Sequence, residues 1–439
     1  MVKPYDLEVP TIGPCDIESP VHRHWAQAHE EGRFVSDEDK VLVDDELKSV
    51  SRALARNEPL TAFELAGPRQ KIFFDPAKAC CAIVTCGGLC PGLNDVIRGL
   101  VLQAYDRYGL RKVYGIRCGY EGLIKAYGHP LLELTPDDVR NIHTLGGSVL
   151  GTSRGPQDPK EMVDRLGELG VNALFIIGGD GTLRGAAQIA AESRRRHDPI
   201  SVVGIPKTID NDILFTDKSF GYETACAAAV QAIKVAHTEA RSVRNGVGLV
   251  KLMGRHSGFI ACSAALAASE VNFVLIPEVS FTLEGETGFL HALHRRIQQT
   301  GHALIVVAEG AGQEWFDVAG ETDLSGNIRL QDIGLWLKEH IERYFKDRSL
   351  DLKFKYIDPS YMIRGVPASP QDSIYCARLA QNAVHAAMAG KTGTVIGCWH
   401  GHYVHVPIGL AVSARKQVDP GGDLWHSVIE STGQPPRFG

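Results

Sequence analysis

Several short stretches of this chain combine carboxylates, cations and glycines at spacings that suit phosphate chemistry. In Gly178-Gly179-Asp180-Gly181-Thr182 a carboxylate is flanked by glycines. A phosphate chain can approach such a site without meeting a Cβ, and a hard divalent cation can bridge carboxylate and phosphate, which makes Asp180 the candidate metal ligand. The structural alternative is Asp180 as a helix N-cap with Gly181 as the first helical residue, but three glycines exceed what a cap requires. Thr208-Ile209-Asp210-Asn211-Asp212 sets two carboxylates two residues apart. An extended backbone there would point both to one side, one as general base and the other holding the base or the metal. The competing reading is an Asx turn, in which Asp and Asn fold the loop onto its own backbone. Arg154, in Thr152-Ser153-Arg154-Gly155, is free to reach an anion with its planar fork, or else simply stands in a surface turn. Arg255, in Met253-Gly254-Arg255, is placed to neutralise charge on a transferring group. The chemistry these types allow is transfer of a phosphoryl group assisted by Mg²⁺.

A fifth stretch, Gly87-Gly88-Leu89-Cys90-Pro91-Gly92, offers backbone N–H groups to phosphate oxygens at a helix start. It lacks the Gly-Lys-Ser/Thr ending of a P-loop and the spaced glycines and ribose-binding carboxylate of a dinucleotide fold, so NAD and flavin readings fail.

The elements that must carry these residues repeat one grammar from Cys80 onward: a short apolar run, a Gly-rich turn, a helical pattern. Apolar runs at Cys80–Thr85, Lys112–Arg117, Ala173–Ile177 and Ser201–Ile205 are expected strands, with a helix from about Leu93 to Tyr108. A long helix from Tyr222 to about Arg244 opens a second series, Val247–Leu252, Phe273–Ile276, Ala303–Ala308 and Leu352–Ile357. A late strand, Gly393–Trp399, preceded by a helix Asp372–Ala389, is positioned to return to the first series. The class is α/β with mainly parallel strands, whose ligand loops follow the carboxyl ends of strands. Residues 1–78 are polar and Pro-interrupted, with one amphipathic patch from Asp37 to Arg56, and read as an N-terminal extension, either an interface arm or a flexible tail.

Composition excludes other classes. The 439 residues exceed one ordinary core, and 44% apolar with 22% charged residues argues against extended disorder. A net charge of −6 without a basic stripe disfavours nucleic acid as a partner; Arg194 to Arg196 read as a solvated helix end. No apolar run is long enough to span a bilayer and no signal-peptide core stands at the start, so no membrane partner and a cytoplasmic location are expected. Ten cysteines, with Cys80, Cys81, Cys262 and Cys398 in apolar runs, look like small buried hydrophobes. Cys86 and Cys90 have no second ligand pair at zinc spacing, so a structural zinc is not expected.

Taken together, the loop Thr85–Asn94, Thr152-Ser153-Arg154, Gly178–Thr182, Pro206–Asp212, Met253-Gly254-Arg255, Glu309 and Tyr361-Met362-Ile363-Arg364-Gly365 resemble the 6-phosphofructokinase family, collinearly over about residues 79 to 400. The resemblance implies two interleaved Rossmann-like three-layer α/β/α domains: residues 79–221 with about 363–413 for ATP and Mg²⁺, and 222–362 with about 414–439 for fructose 6-phosphate. It implies transfer of the ATP γ-phosphoryl to the C1 hydroxyl of fructose 6-phosphate in glycolysis, by a homotetramer or homodimer. Carried over motif by motif, Asp210 is the base and Asp180 the Mg²⁺ ligand, with Asp212 in support. Gly88, Arg154, Gly155, Gly179, Gly181 and Thr182 line the donor phosphates, and Thr208 and Arg255 act on the transferring group. Met253, Gly254, Glu309, Tyr361 and Arg364 hold the sugar phosphate.

This sequence departs from the short bacterial pattern, which has His where Tyr361 stands and Arg where Gly246 stands; Lys355 is the candidate substitute cation. Arg98 matches an effector-site arginine, but Leu102 stands where a second is expected, which counts against ADP activation of the usual kind. For the donor, Gly181 resembles ATP users, since pyrophosphate users carry Asp there, whereas Lys207 resembles pyrophosphate users. The mixed pair, with Lys251-Leu252-Met253-Gly254-Arg255 and the long extension, resembles the long ATP-dependent members of trypanosomes and plants. A pyrophosphate-dependent fructose 6-phosphate 1-phosphotransferase is the alternative. A non-catalytic sugar-phosphate or nucleotide sensor would have no need of Asp180, Asp210, Asp212 and Arg255 together.

Overall fold

The structure, a computed structural model, describes residues 7–21, 34–316 and 329–439. Its strands, in chain order, are β1 (Ile17–Glu18), β2 (Lys40–Leu42), β3 (Ala62–Leu65), β4 (Lys71–Ile72), β5 (Cys80–Thr85), β6 (Lys112–Ile116), β7 (Leu132–Glu133), β8 (Ala173–Gly178), β9 (Ser201–Pro206), β10 (Gly246–Leu252), β11 (Phe273–Leu275), β12 (His302–Ala308), β13 (Lys353–Ile357), β14 (Thr394–Trp399) and β15 (His402–Pro407). The chain divides into two compact units, each assembled from separated stretches. The first holds the residues up to Thr208, Ile213–Gly221 and Val366–Ala414; the second holds Ile209–Asp212, Tyr222–Gly365 and Arg415–Gly439.

In the first unit a nine-stranded sheet runs β2-β3-β15-β14-β9-β8-β5-β6-β7. Its centre, β14-β9-β8-β5-β6, is parallel. Every residue of β5, β8 and β9 is buried, as expected for strands covered on both faces, and this is why they read as unbroken apolar runs. The edges are antiparallel: β7 on β6, and β15, β3 and β2 beyond β14.

Strands β2 and β3 come from the stretch set apart above as an extension. Lys391 fastens it, lying 2.9 Å from Glu64 and 2.8 Å from Asp37, while Arg69 lies 2.6 Å from Glu64. The patch Asp37–Arg56 resolves into β2 and a helix Leu47–Ala55. The helix expected over Leu93–Tyr108 is α-helical to Leu102 and then widens to a π-turn over Gln103–Tyr108.

The second unit is built on a fully parallel sheet, β11-β12-β10-β13. Val247, Leu249, Ile305 and Val307 pack there against Phe289 and Phe345. The long helix runs Tyr222–Arg241. Among the described residues no helix is long and apolar enough to cross a membrane.

Candidate active site

The parallel centre of the first sheet contains a topological switch. From β5 the chain moves outward to β6; from β8, its neighbour on the other side, it moves to β9 and later to β14. Loops leaving β5 and β8 therefore diverge and leave a crevice at the carboxyl ends, where open α/β sheets bind ligands. The two glycine-rich motifs are these loops. They start side by side, with Cys86 N–H donating to Ile177 O at 3.0 Å, and Gly87 N–H donating to Ser153 O at 2.9 Å, which draws Thr152-Ser153-Arg154 to the same edge. Arg154 is exposed there, and Gly155 follows with φ +96°.

Asp180 is the first residue of the helix Asp180–Arg196, and Gly179, in an extended conformation, is its N-cap. The cap falls one residue earlier than the N-cap reading of Asp180 has it, and Asp180 stands in the first turn, at the positive end of the helix dipole. Arg184, one turn on, lies 3.2 Å from its carboxylate and donates to Val412 O at 2.6 Å. Among the described residues no three metal-ligating side chains cluster. One carboxylate at a helix N-terminus beside glycine loops fits an Mg²⁺ ion that takes its remaining oxygens from phosphates and water, and does not fit an all-protein cage.

The three glycines of this motif have different reasons to be there. A Cβ on Gly178 would come within 2.3 Å of Thr182 Cβ, and one on Gly179 within 3.2 Å of Lys207 O. On Gly181 it would meet nothing within 4 Å. Packing requires the first, constrains the second and is indifferent to the third.

Strand β9 pairs with β8 up to Gly178↔Pro206, which delivers Lys207 and Thr208 beside Gly179. Lys207 N–H donates to Gly178 O at 3.1 Å. Its buried ammonium donates to Gly88 O at 2.8 Å, and a Cβ at Gly87 would sit 3.7 Å from Lys207 Nζ and 3.8 Å from Thr182 Oγ1. A cation, a hydroxyl and a glycine loop thus share one small space. Sequence reasoning used Lys207 only as a donor marker and left it out of the site. The available signal was its place directly after an all-apolar strand, which forces a long side chain to run over a neighbouring loop. Thr208 O accepts from Ser219 Oγ at 2.6 Å.

In the second unit β10 and β12 pair to their last residues, Leu252↔Ala308. The loops beyond are laced together: Glu309 N–H donates to Leu252 O at 2.9 Å and Gly310 N–H to Gly254 O at 3.1 Å. Gly254 has φ +135°, and a Cβ there would lie 2.5 Å from Ser257 O, so no other residue fits. Met253, Gly254, Arg255 and Glu309 are thereby fixed at one sheet end.

The segment Ile209–Asp212 joins them. Ser257 Oγ donates to Asp210 O at 2.8 Å. The segment is not extended as expected: it turns at Ile209 and Asp210, and Asn211 is left-handed, φ +56°. Short polar side chains tolerate that conformation, and the Asx-type reading describes the backbone better than the strand reading. The carboxylates still act on each other. Burial, then the charges of Asp212 and Glu309, push Asp210 up to about 7, against a hydrogen bond from Arg255 N–H and the Arg255 charge, which lower it. Its Oδ1 is shut away from water. Glu309 is also held above the usual carboxylate range, by burial, with Arg255 and Lys251 opposing. Asp212 lies 2.8 Å from Arg415, a residue that no motif had marked.

Lys251, at the end of β10, lies 2.8 Å from both Asp332 and Asp358. Asp358 opens the loop on which the Arg364 guanidinium sits 4.6 Å over the Tyr361 ring; Tyr361 is 75% exposed. Lys355 is placed otherwise. It lies opposite Gly248 in mid-strand, four residues short of the end of β10, and its ammonium lies 3.2 Å from Glu239 on the long helix. The structure does not bring it to the strand-end cluster; the cation found there is Lys251.

Comparison with known proteins agrees with this arrangement. The sequence profile of the family described as Phosphofructokinase matches residues 80–387. The ATP-dependent 6-phosphofructokinase of Amycolatopsis methanolica is 48% identical over 441 residues, covering 99% of this chain and 96% of that protein. The enzyme of the same name from Trypanosoma brucei brucei is 50% identical over 372 residues, covering 84% of this chain and 76% of its own. The crystal structure of a pyrophosphate-dependent phosphofructokinase from Marinobacter aquaeolei superposes with TM-score 0.66 at 20% identity, over 81% of this chain and 91% of that one, a likeness of fold. With the profile matched over residues 80–387 and a relative 48% identical over 99% of this sequence, the chain belongs to the phosphofructokinase family.

Proposed function

We propose that the chain transfers the γ-phosphoryl group of ATP to the C1 hydroxyl of fructose 6-phosphate, giving fructose 1,6-bisphosphate and ADP. One observation carries the chemistry: Asp210, poised near neutrality between Asp212, Glu309 and Arg255, has the protonation behaviour a general base needs. It accepts the proton of the C1 hydroxyl as that oxygen bonds to phosphorus and the bond to the departing ADP oxygen breaks. Arg255 and Thr208 act on the charge of the transferring group, and such transfer is chiefly a matter of positioning and charge neutralisation. Met253, Glu309, Tyr361 and Arg364 hold the sugar phosphate. Gly88, Arg154, Gly155, Gly179, Gly181 and Thr182 line the donor phosphates, and Lys207 adds a cation at the same loop.

Asp180 is the residue that would hold Mg²⁺. Bound there with the donor, the ion would offset phosphate charge and orient the phosphate oxygens.

For the donor, Gly181 supports ATP. The fold has no use for a missing side chain at that position, so the space serves a ligand longer than pyrophosphate, and relatives near half identity are named ATP-dependent. Lys207, buried against Gly88 O, favours the second reading, pyrophosphate as donor. Formation of fructose 1,6-bisphosphate at equal Mg²⁺ with either donor decides: turnover is expected with ATP, and strong turnover with pyrophosphate but none with ATP would reverse the assignment. A cytosolic homotetramer or homodimer is the setting this reading implies.

A further inference from the structure

The return segment after residue 410 lies outside the stretch that the family profile matches and contains no motif, yet it grips the loop that carries the base. Arg415 Nη1 lies 2.8 Å from Asp212 Oδ2, and Lys416 N–H donates to Asp212 O at 2.9 Å. Gln417 Nε2 donates to His256 O at 3.0 Å. Val418 N–H donates to Glu278 Oε1 at 2.8 Å, the same oxygen that accepts from Gly258 N–H at 2.9 Å. Consecutive residues of one strand of chain therefore tie the segment Ile209–Asp212 to the loop after Arg255, in which Ser257 already holds Asp210 O.

We propose that Arg415 is a positioning residue for phosphoryl transfer, which keeps Asp212 partnered and the base loop seated, so that the charge beside Asp210 stays neutralised. The proposal rests on the reading of Asp210 as base. The charged groups facing Asp210 are Asp212 on its own loop, Arg255 beyond β10 and Glu309 beyond β12; Arg415 answers Asp212 from the return segment. The Asp212 side chain is only 8% exposed, so water cannot replace a lost partner there. The adjacent ammonium, Lys416, lies over the Phe259 ring at 5.1 Å from its centre. With the Arg415 charge removed, the full field of Asp212 falls on Asp210, which then keeps its proton to higher pH.

The test is kcat against pH at saturating ATP and fructose 6-phosphate for the parent, R415Q, R415K and D212N. The acid limb is expected to rise by about 0.5 to 1 pH unit in R415Q and to stay within about 0.3 unit of the parent in R415K. In D212N it should fall. A limb that does not move in R415Q, whatever the loss of rate, marks a merely structural role and overturns the proposal; so does an equal shift in R415K. Should R415Q not accumulate as folded protein, an unmoved limb in D212N overturns it. Failure of the underlying reading shows separately, as a D210N variant that keeps its turnover.

Discussion

Where the strands of the first unit end, the site is mostly backbone: glycine loops, N–H groups at a helix start, one carboxylate and one buried ammonium. Where those of the second end, the loops gather charges, Asp210, Asp212, Arg255, Glu309 and Arg415, among which the carboxyls of Asp210 and Glu309 are pushed up. The proposed function accounts for the difference. A polyphosphate is a chain of like oxygens that backbone donors serve without discrimination. A hydroxyl must give up a proton at the moment its oxygen attacks, which requires a group with a tuned proton affinity. Substitutions should accordingly act on donor choice in the first unit and on the chemical step and its pH dependence in the second.

The sharpest break is at Asp210. Asp210→Asn keeps the shape and hydrogen-bonding size of the side chain but cannot take a proton. Turnover with ATP is expected to fall by about 10³-fold, within the range general bases contribute, with KM for both substrates within a few-fold. Steady-state kinetics at pH 8 measure it. A loss below tenfold would move the base elsewhere and erase the contrast between the units.

The corresponding change in the first unit is Gly181→Asp. Because a Cβ there has open space, the variant should fold with an unchanged Tm, while kcat/KM for ATP falls by about 100-fold through charge and bulk set against the longer donor. Use of pyrophosphate should fall less or appear. Equal loss with both donors would show that the position serves the metal or the helix start instead. Gly178→Ala is the matched control: its Cβ would press on Thr182, so it should lower Tm, whatever the donor.

These contrasts also explain what could be read from the sequence. Buried parallel strands are apolar runs that stop at a glycine-rich or polar loop, so β5, β8, β9, β10 and β12 were legible nearly to the residue, and with them the loops that hold Gly88, Asp180, Arg255 and Glu309. Strands β2 and β3 were not, since they are short, partly exposed, and join the sheet only where β3 pairs with β15 from the far end of the chain. The turn at Asn211 was hidden because a left-handed residue within a polar run leaves no period to detect. Partners were least legible of all: Arg415 and Asp212 are 203 residues apart and Lys251 and Asp332 are 81 apart, and nothing in spacing announces either pair. Lys355, the candidate substitute for a cation missing from the short bacterial pattern, lies instead in mid-strand, with its ammonium at Glu239.

The smallest effect expected is thermodynamic, and it tests whether the second cluster stores the strain its charges imply. A carboxyl raised to about 7 in the folded chain, against about 3.9 unfolded, favours the native state only while it is protonated. That contribution is complete below pH 4 and is lost as pH rises through 7, because above it the native state must hold an ionised group among Asp212 and Glu309. Asp210→Asn carries no charge at any pH. In the ligand-free protein at pH 8 the variant should therefore be more stable, by about 2 kcal/mol, a Tm gain of several degrees, and the advantage should shrink steadily toward pH 5. Scanning calorimetry of both proteins across that range measures it. A Tm difference that does not vary with pH would mean that Asp210 titrates as an ordinary carboxylate, and the electrostatic contrast between the two strand-end clusters would then have to be drawn from Glu309 alone.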